Sequence, residues 1–130
     1  MRRLSCLVGF CLLSGCATLS AGDNEIGRKY VVFFTKGSAA IDGPGSGVVL
    51  HAAGAASRHP DVTVLVAGYA AAHGDLDADE ALSEARTQAV AAALQADGVA
   101  ASRIRESPRA PSNEQPGVSA RRVEIGFASP

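Results

Sequence analysis

The sequence predicts an α/β fold, an α+β sandwich in which two helices pack on one face of a mixed sheet in the order β-α-β-α-β-β. Three observations predict it. Near the C-terminus Val123, Ile125 and Phe127 alternate with Arg122, Glu124 and Gly126, the two-residue period of a half-buried strand. Val49, Ala52, Ala53 and Ala56 recur at three- and four-residue spacing, as does a longer set between Leu82 and Ala93, the period of a helix face. Short β-branched runs separate these helical stretches. A chain of 130 residues holds one domain and shows no internal repeat.

Each element has a local reason. Tyr30 to Phe34 is β-branched and aromatic, a buried strand. The glycines at 43, 45 and 47 punctuate the chain and read as a flexible connection into a helix over Val48 to Arg58, which His59-Pro60-Asp61 stops. Val62 to Ala67 is the second strand, with Val62, Val64 and Val66 on one face. Asp77, with Glu80 three residues on, caps a second helix that runs to about Ala96, with Leu82, Ala89, Val90 and Ala93 inward. Gly98 closes that helix. A short strand around Ile104 and a stronger one over Arg121 to Phe127 complete the order.

The N-terminus carries a separate signal. Arg2 and Arg3 precede an apolar run from Leu4 to Leu13, too short for the roughly 20 residues that span a bilayer as a helix. Leu13-Ser14-Gly15-Cys16 follows and resembles the bacterial lipoprotein signal, in which the cysteine becomes the acylated first residue. Residues 1–15 therefore read as signal peptide, 16–29 as lipidated Cys16 and tether, and 30–130 as the domain. Cleavage removes Cys6 and Cys11 and acylation consumes Cys16, so the mature domain holds no thiol, disulfide or cysteine metal site. Loss of Arg2 and Arg3 leaves ten basic against thirteen acidic side chains, so membrane attachment rests on the acyl chains. The resemblance implies an outer-membrane lipoprotein facing the periplasm, because Ala17 stands where an aspartate favours inner-membrane retention.

Composition and motifs exclude several functions. A net charge of −1 lacks the basic excess of a nucleic-acid binder. The glycines at 43, 45 and 47 do not complete a G-x-G-x-x-G, and no G-K-[ST] follows. Asp75, Asp77 and Asp79 have the spacing of a calcium loop, but Glu80 takes its glycine position and Arg86 its bidentate glutamate position. Acids against the dipole of a helix N-terminus account for them better. His51, His59 and His73 share no metal-type spacing. Ser83 is not in a G-x-S-x-G elbow, and nothing else points to an enzyme or a cofactor. Arg86 stands out, four residues after Leu82 and four before Val90 on the border of the inward stripe. A guanidinium there either snorkels outward, pairs with a carboxylate of the domain, or forms a planar fork for a ligand carboxylate.

Together these residues resemble the OmpA-like domain, the peptidoglycan-binding module of outer-membrane proteins and of the peptidoglycan-associated lipoprotein. The likeness covers Tyr30 to Phe127 and is carried by Val32-Phe33-Phe34 with Gly37-Ser38-Ala39, by Val64 to Gly68, by Leu82-Ser83-Glu84-Ala85-Arg86, and by Arg121-Arg122-Val123-Glu124-Ile125. It implies that a zwitterionic diaminopimelate centre of the stem peptide is held by two charges, an aspartate on the ammonium and an arginine on the carboxylate. The arginine is kept as Arg86, while Gly68-Tyr69-Ala70-Ala71 puts Ala71 at the aspartate position. Asp79 stands for the family's asparagine, and Ala120 precedes the final Arg-Arg pair; Asp79 and Arg122 are accessory candidates. Losing one charged partner costs about 1.5–3 kcal/mol, so the implied function is weak wall binding that tethers the outer membrane. The alternative is a degenerate module that serves an envelope protein partner.

Overall fold

The computed structural model describes residues 23–115 and 117–130. The signal peptide, Cys16 and the first part of the tether expected from the sequence lie outside the described residues. In chain order the elements are α1 (Asp23–Ile26), β1 (Tyr30–Phe33), α2 (Gly43–Arg58), β2 (Thr63–Gly68), α3 (Leu76–Ala96), β3 (Ile104–Glu106) and β4 (Arg122–Ala128). Two 3₁₀ turns, Ala101–Arg103 and Gly117–Ala120, precede the last two strands. The expected β-α-β-α-β-β order is present.

The sheet runs β1-β4-β2-β3, with β4 antiparallel to both neighbours and β2 parallel to β3. Register places Val32 opposite Val123 and Val66 opposite Ile125, so the apolar faces of three strands meet on one side. There α2 and α3 cover them: Val49, Ala52, Ala53 and Ala56 from one, Val90 and Leu94 from the other. The core is made of short side chains, and its largest fully buried side chain is a charged one, Arg86. The opposite sheet face is open, and Phe33 (48%) and Leu65 (39%) remain exposed on it.

Three expectations are corrected. The glycines at 43–47 are no loose connection: they form the first turns of α2. Asp42 caps that helix by accepting from Gly45 N at 2.7 Å, and Pro44 suits its first turn. A Cβ on Gly45 would stand 3.1 Å from Val32 Cγ1, so glycine lets the helix start against β1. The cap of α3 is Asp75, two residues ahead of Asp77: its Oδ1 accepts from Ala78 N, and Gly74 at φ +100° turns the chain immediately before it. The buried stripe of α3 is Asp79, Ser83, Arg86, Thr87, Val90, Ala91 and Leu94, while Leu82, Ala89 and Ala93 are only half-buried. Polar groups can face inward there because strand-end carbonyls receive them. Of the residues expected as tether, 23–29 are described: Glu25 takes two hydrogen bonds from Arg58, at 2.7 and 3.0 Å, so α1 docks on the end of α2. The ion pair holds the Glu25 carboxyl below its usual range.

Candidate functional site

The residues singled out by the sequence converge where β2 ends. Gly68 makes this possible. A Cβ on it would lie 2.0 Å from Thr87 Oγ1 and 2.7 Å from the Ser83 carbonyl oxygen, so α3 rests directly on strand backbone. The single Ser83 hydroxyl proton is shared between the carbonyls of Gly68 (3.1 Å) and Arg109 (3.0 Å), and Thr87 Oγ1 donates to the Ser83 carbonyl at 2.8 Å.

One turn along, Arg86 enters the gap between the ends of β1 and β2 and is 1% exposed. Its Nε donates to Ser38 O at 2.9 Å, one terminal nitrogen to Tyr69 O at 3.2 Å, and the other to Thr35 O at 3.3 Å. The Phe34 ring lies 5.4 Å from the guanidinium carbon. So Arg86 neither snorkels nor pairs with a carboxylate among the described residues. Three of its five N–H groups are used, and its charge is met only by neutral dipoles. Burial pushes its pKa down, and the neighbouring Arg121 cation adds to that, although an arginine stays protonated.

Ala71 follows directly, half-buried and held between two anchored neighbours. Ser112 N donates to Ala70 O at 3.2 Å, and the Asn113 amide grips Ala72 through both its N–H (3.2 Å) and its carbonyl (2.9 Å). The loop 107–113 thus runs alongside residues 66–72, with Ser107 N on Val66 O and Arg109 N on Gly68 O, both at 2.8 Å. Asp79 is turned toward His73 of the β2–α3 loop. Its oxygens accept from His73 N at 2.6 Å and meet His73 Nδ1 at 3.1 Å. The His73 backbone N–H, with the ring nitrogen, holds the Asp79 carboxyl below its usual range against the effect of burial.

Arg122 lies on the other side of Tyr69, its guanidinium carbon 3.8 Å from the ring centroid. Its Nε donates to Glu124 Oε1 at 3.1 Å, and a terminal nitrogen donates to the Ser119 carbonyl. Lys29 Nζ reaches Glu124 Oε2 at 3.2 Å, and the Tyr69 hydroxyl lies 3.4 Å from the same oxygen. Above Tyr69 and Ala70 opens a groove of about 550 Å³, flanked by Arg109 and Arg122 and, from the 107–119 loop, by Glu114. The described residues contain no group of three or more His, Cys, Asp or Glu suited to a metal. Asp75, for one, is committed to its helix cap.

The structure therefore brings Arg86, Ala71, Asp79 and Arg122 to one end of the sheet. Sequence reasoning missed Ser83, Thr87, Asn113 and Glu114. The first two had a signal: Asp79, Ser83, Arg86 and Thr87 share one helical stripe with Val90 and Leu94, visible once polar side chains are allowed inside. Asn113 and Glu114 had none, since their meeting with the β2–α3 loop is long-range.

The OmpA family model matches residues 33–124. The probable lipoprotein YiaD of Escherichia coli (strain K12) is 34% identical over 101 residues, which is 77% of this chain. That stretch is 46% of YiaD, so the chain spans about half the length of this relative. The fold is similar to that of the peptidoglycan-associated lipoprotein from Burkholderia pseudomallei, with a TM-score of 0.71 at 19% identity, covering 85% of this chain and 98% of that one. It is similar also to the periplasmic domain of Helicobacter pylori MotB, with a TM-score of 0.62 at 18% identity, covering 78% and 81%.

Proposed function

This chain belongs to the OmpA family, and from that premise we propose that it is an outer-membrane lipoprotein, anchored through Cys16, whose domain binds peptidoglycan non-covalently and weakly. It tethers membrane to cell wall and carries out no catalysis. The observation that supports this reading is Arg86: a buried cation, with no carboxylate partner among the described residues, that donates to the carbonyl of Tyr69, a residue of the groove flanked by Arg109 and Arg122. Two N–H groups of its fork are left for an anion, and a stem-peptide carboxylate is of the right shape. The weakness has two sources. Ala71 offers nothing to an ammonium, and Asp79 is engaged by His73. Arg86 itself is shielded by the turn at residues 35–38, which must give way for a ligand to reach it.

Co-sedimentation of the purified full chain in detergent with sacculi tests this, followed by calorimetric titration with a diaminopimelate peptide. Weak retention is expected, and Ala71→Asp should tighten binding about tenfold, which is ~1.4 kcal/mol. Cys16→Ser should move the protein out of the membrane fraction. A second reading, a module that serves an envelope protein partner, draws on Phe33 and Leu65, exposed on the open sheet face. Equal, undetectable binding by the wild type and Ala71→Asp would retire the wall reading in favour of the second.

A further inference from the structure

We propose that Glu114 is the acceptor for the ligand's ammonium, supplying from the 107–119 loop the negative charge that position 71 lacks. The proposal rests on the wall-binding reading and goes beyond it by assigning a residue from a different loop. Three observations lead there. The first is position. Glu114 lines the same groove as Tyr69, Ala70 and Arg122. Its backbone is fixed to the β2–α3 loop, since Asn113 grips both polar groups of Ala72 and Ser112 Oγ accepts from Glu114 N at 3.1 Å.

The second is availability. Glu114 is the one acid among the described residues that line the groove. Of its acidic neighbours, Asp79 has His73, Asp75 has the α3 N-terminus, Glu124 has Lys29 and Arg122, and Glu80 and Glu84 face the loop at Pro108 to Ala110, outside the groove. The Glu114 carboxylate makes no hydrogen bond or ion pair among the described residues, so no internal contact must break before it receives a cation. The third is polarity. Arg109 and Arg122 flank the groove that Glu114 enters, and Arg122 keeps one terminal nitrogen without a hydrogen bond among the described residues. A groove with cations and one unengaged carboxylate complements a ligand that carries both charges, a zwitterionic amino-acid centre.

Titration calorimetry of the full chain decides the matter with two probes: a diaminopimelate-containing tripeptide, and the same peptide with its side-chain amine acetylated. Glu114 is exposed, so Glu114→Gln leaves the fold intact. In the wild type, acetylation should weaken binding about tenfold. Glu114→Gln should weaken the unmodified peptide by the same factor and be indifferent to acetylation. Adding Ala71→Asp to Glu114→Gln should restore at least wild-type affinity, which no structural role of Glu114 explains. If Ala71→Asp binds and Glu114→Gln matches the wild type with both peptides, Glu114 is overturned and the wall reading stands. If neither the wild type nor Ala71→Asp binds, both are overturned.

Discussion

Two arginines stand at opposite ends of β2 and solve the same problem differently. Arg103, at the start of the strand, donates to the carbonyls of Ala56, His59 and Val62 at 2.8–3.2 Å. Arg86, at its end, donates to Ser38, Tyr69 and Thr35 at 2.9–3.3 Å. Their carbonyl partners are equal in number, yet the electrostatics differ. Arg103 caps the C-terminus of α2, where the helix dipole presents partial negative charge, and it is half-exposed to water. Arg86 leaves the middle of α3, meets no helix end, is closed from water and has another arginine nearby. One cation is neutralised by the fold and the other is merely hydrogen-bonded. The end of the sheet with the unneutralised cation is the one suited to an anion.

The strongest way to break this comparison is to delete each side chain. Arg86→Ala leaves a large cavity and three strand-end carbonyls without a donor, and should cost about 3 kcal/mol or more. Arg103→Ala opens its carbonyls to water and should cost only about 1 kcal/mol. Urea unfolding measures both. A chain that tolerates Arg86→Ala as well as Arg103→Ala would show that Arg86 is held against the fold's preference, with no structural task.

The second test sharpens what holds Arg86 in place. Gly68→Ala puts a methyl group 2.0 Å from Thr87 Oγ1 and against the Ser83 carbonyl, so α3 must lift from β2 beside Arg86. A loss of about 2–3 kcal/mol is expected. Hydrogen exchange should rise at Tyr69 and Phe34, whose amides donate to the Arg122 and Arg121 carbonyls, and stay unchanged at Val62, near Arg103. Equal loosening at both ends would mean that the sheet responds as one body and that the two poles are not separable.

Much of this contrast could be read from residues alone, and the reason for the rest is physical. The strands were legible because Val123, Ile125 and Phe127 alternate, and a period of two is local. Arg86 was legible as unusual because a cation on the edge of an apolar stripe conflicts with that stripe. Its burial was not, since it depends on carbonyls 17 and about 50 residues away in sequence. The glycines before α2 misled for a similar reason: low helix propensity is outweighed there by the Asp42 cap and the close fit to Val32. Glu114 was invisible because only the pairing of Asn113 with Ala72 carries it to the groove.

The smallest effect concerns acid. Glu124 lies beside the groove with Arg122, Lys29 and Tyr69, while Glu25 lies with Arg58 near the other end of β2. Burial raises the Glu124 pKa, but the hydrogen bonds from Arg122 and Lys29 outweigh it and leave the group below its usual range. A carboxyl with a depressed native pKa binds fewer protons folded than unfolded. Its contribution is therefore complete above the ordinary carboxylate pKa and is lost as pH falls through the native value. Glu25 is depressed as well and adds the same sign from its own pole. Thermal melts between pH 6 and about pH 3 should show the wild type losing stability in the acid range. Glu124→Gln should flatten that loss slightly and cost, at neutral pH, no more than the ~1 kcal/mol of a partly exposed pair. Protonated Glu124 also loosens its hold on Arg122, which then keeps its place over Tyr69 by stacking and by its bond to the Ser119 carbonyl. Acid should thus loosen the groove wall before it touches Arg86, whose carbonyl partners do not titrate. Simultaneous loss of Tyr69 and Phe34 amide protection on acidification would contradict that order.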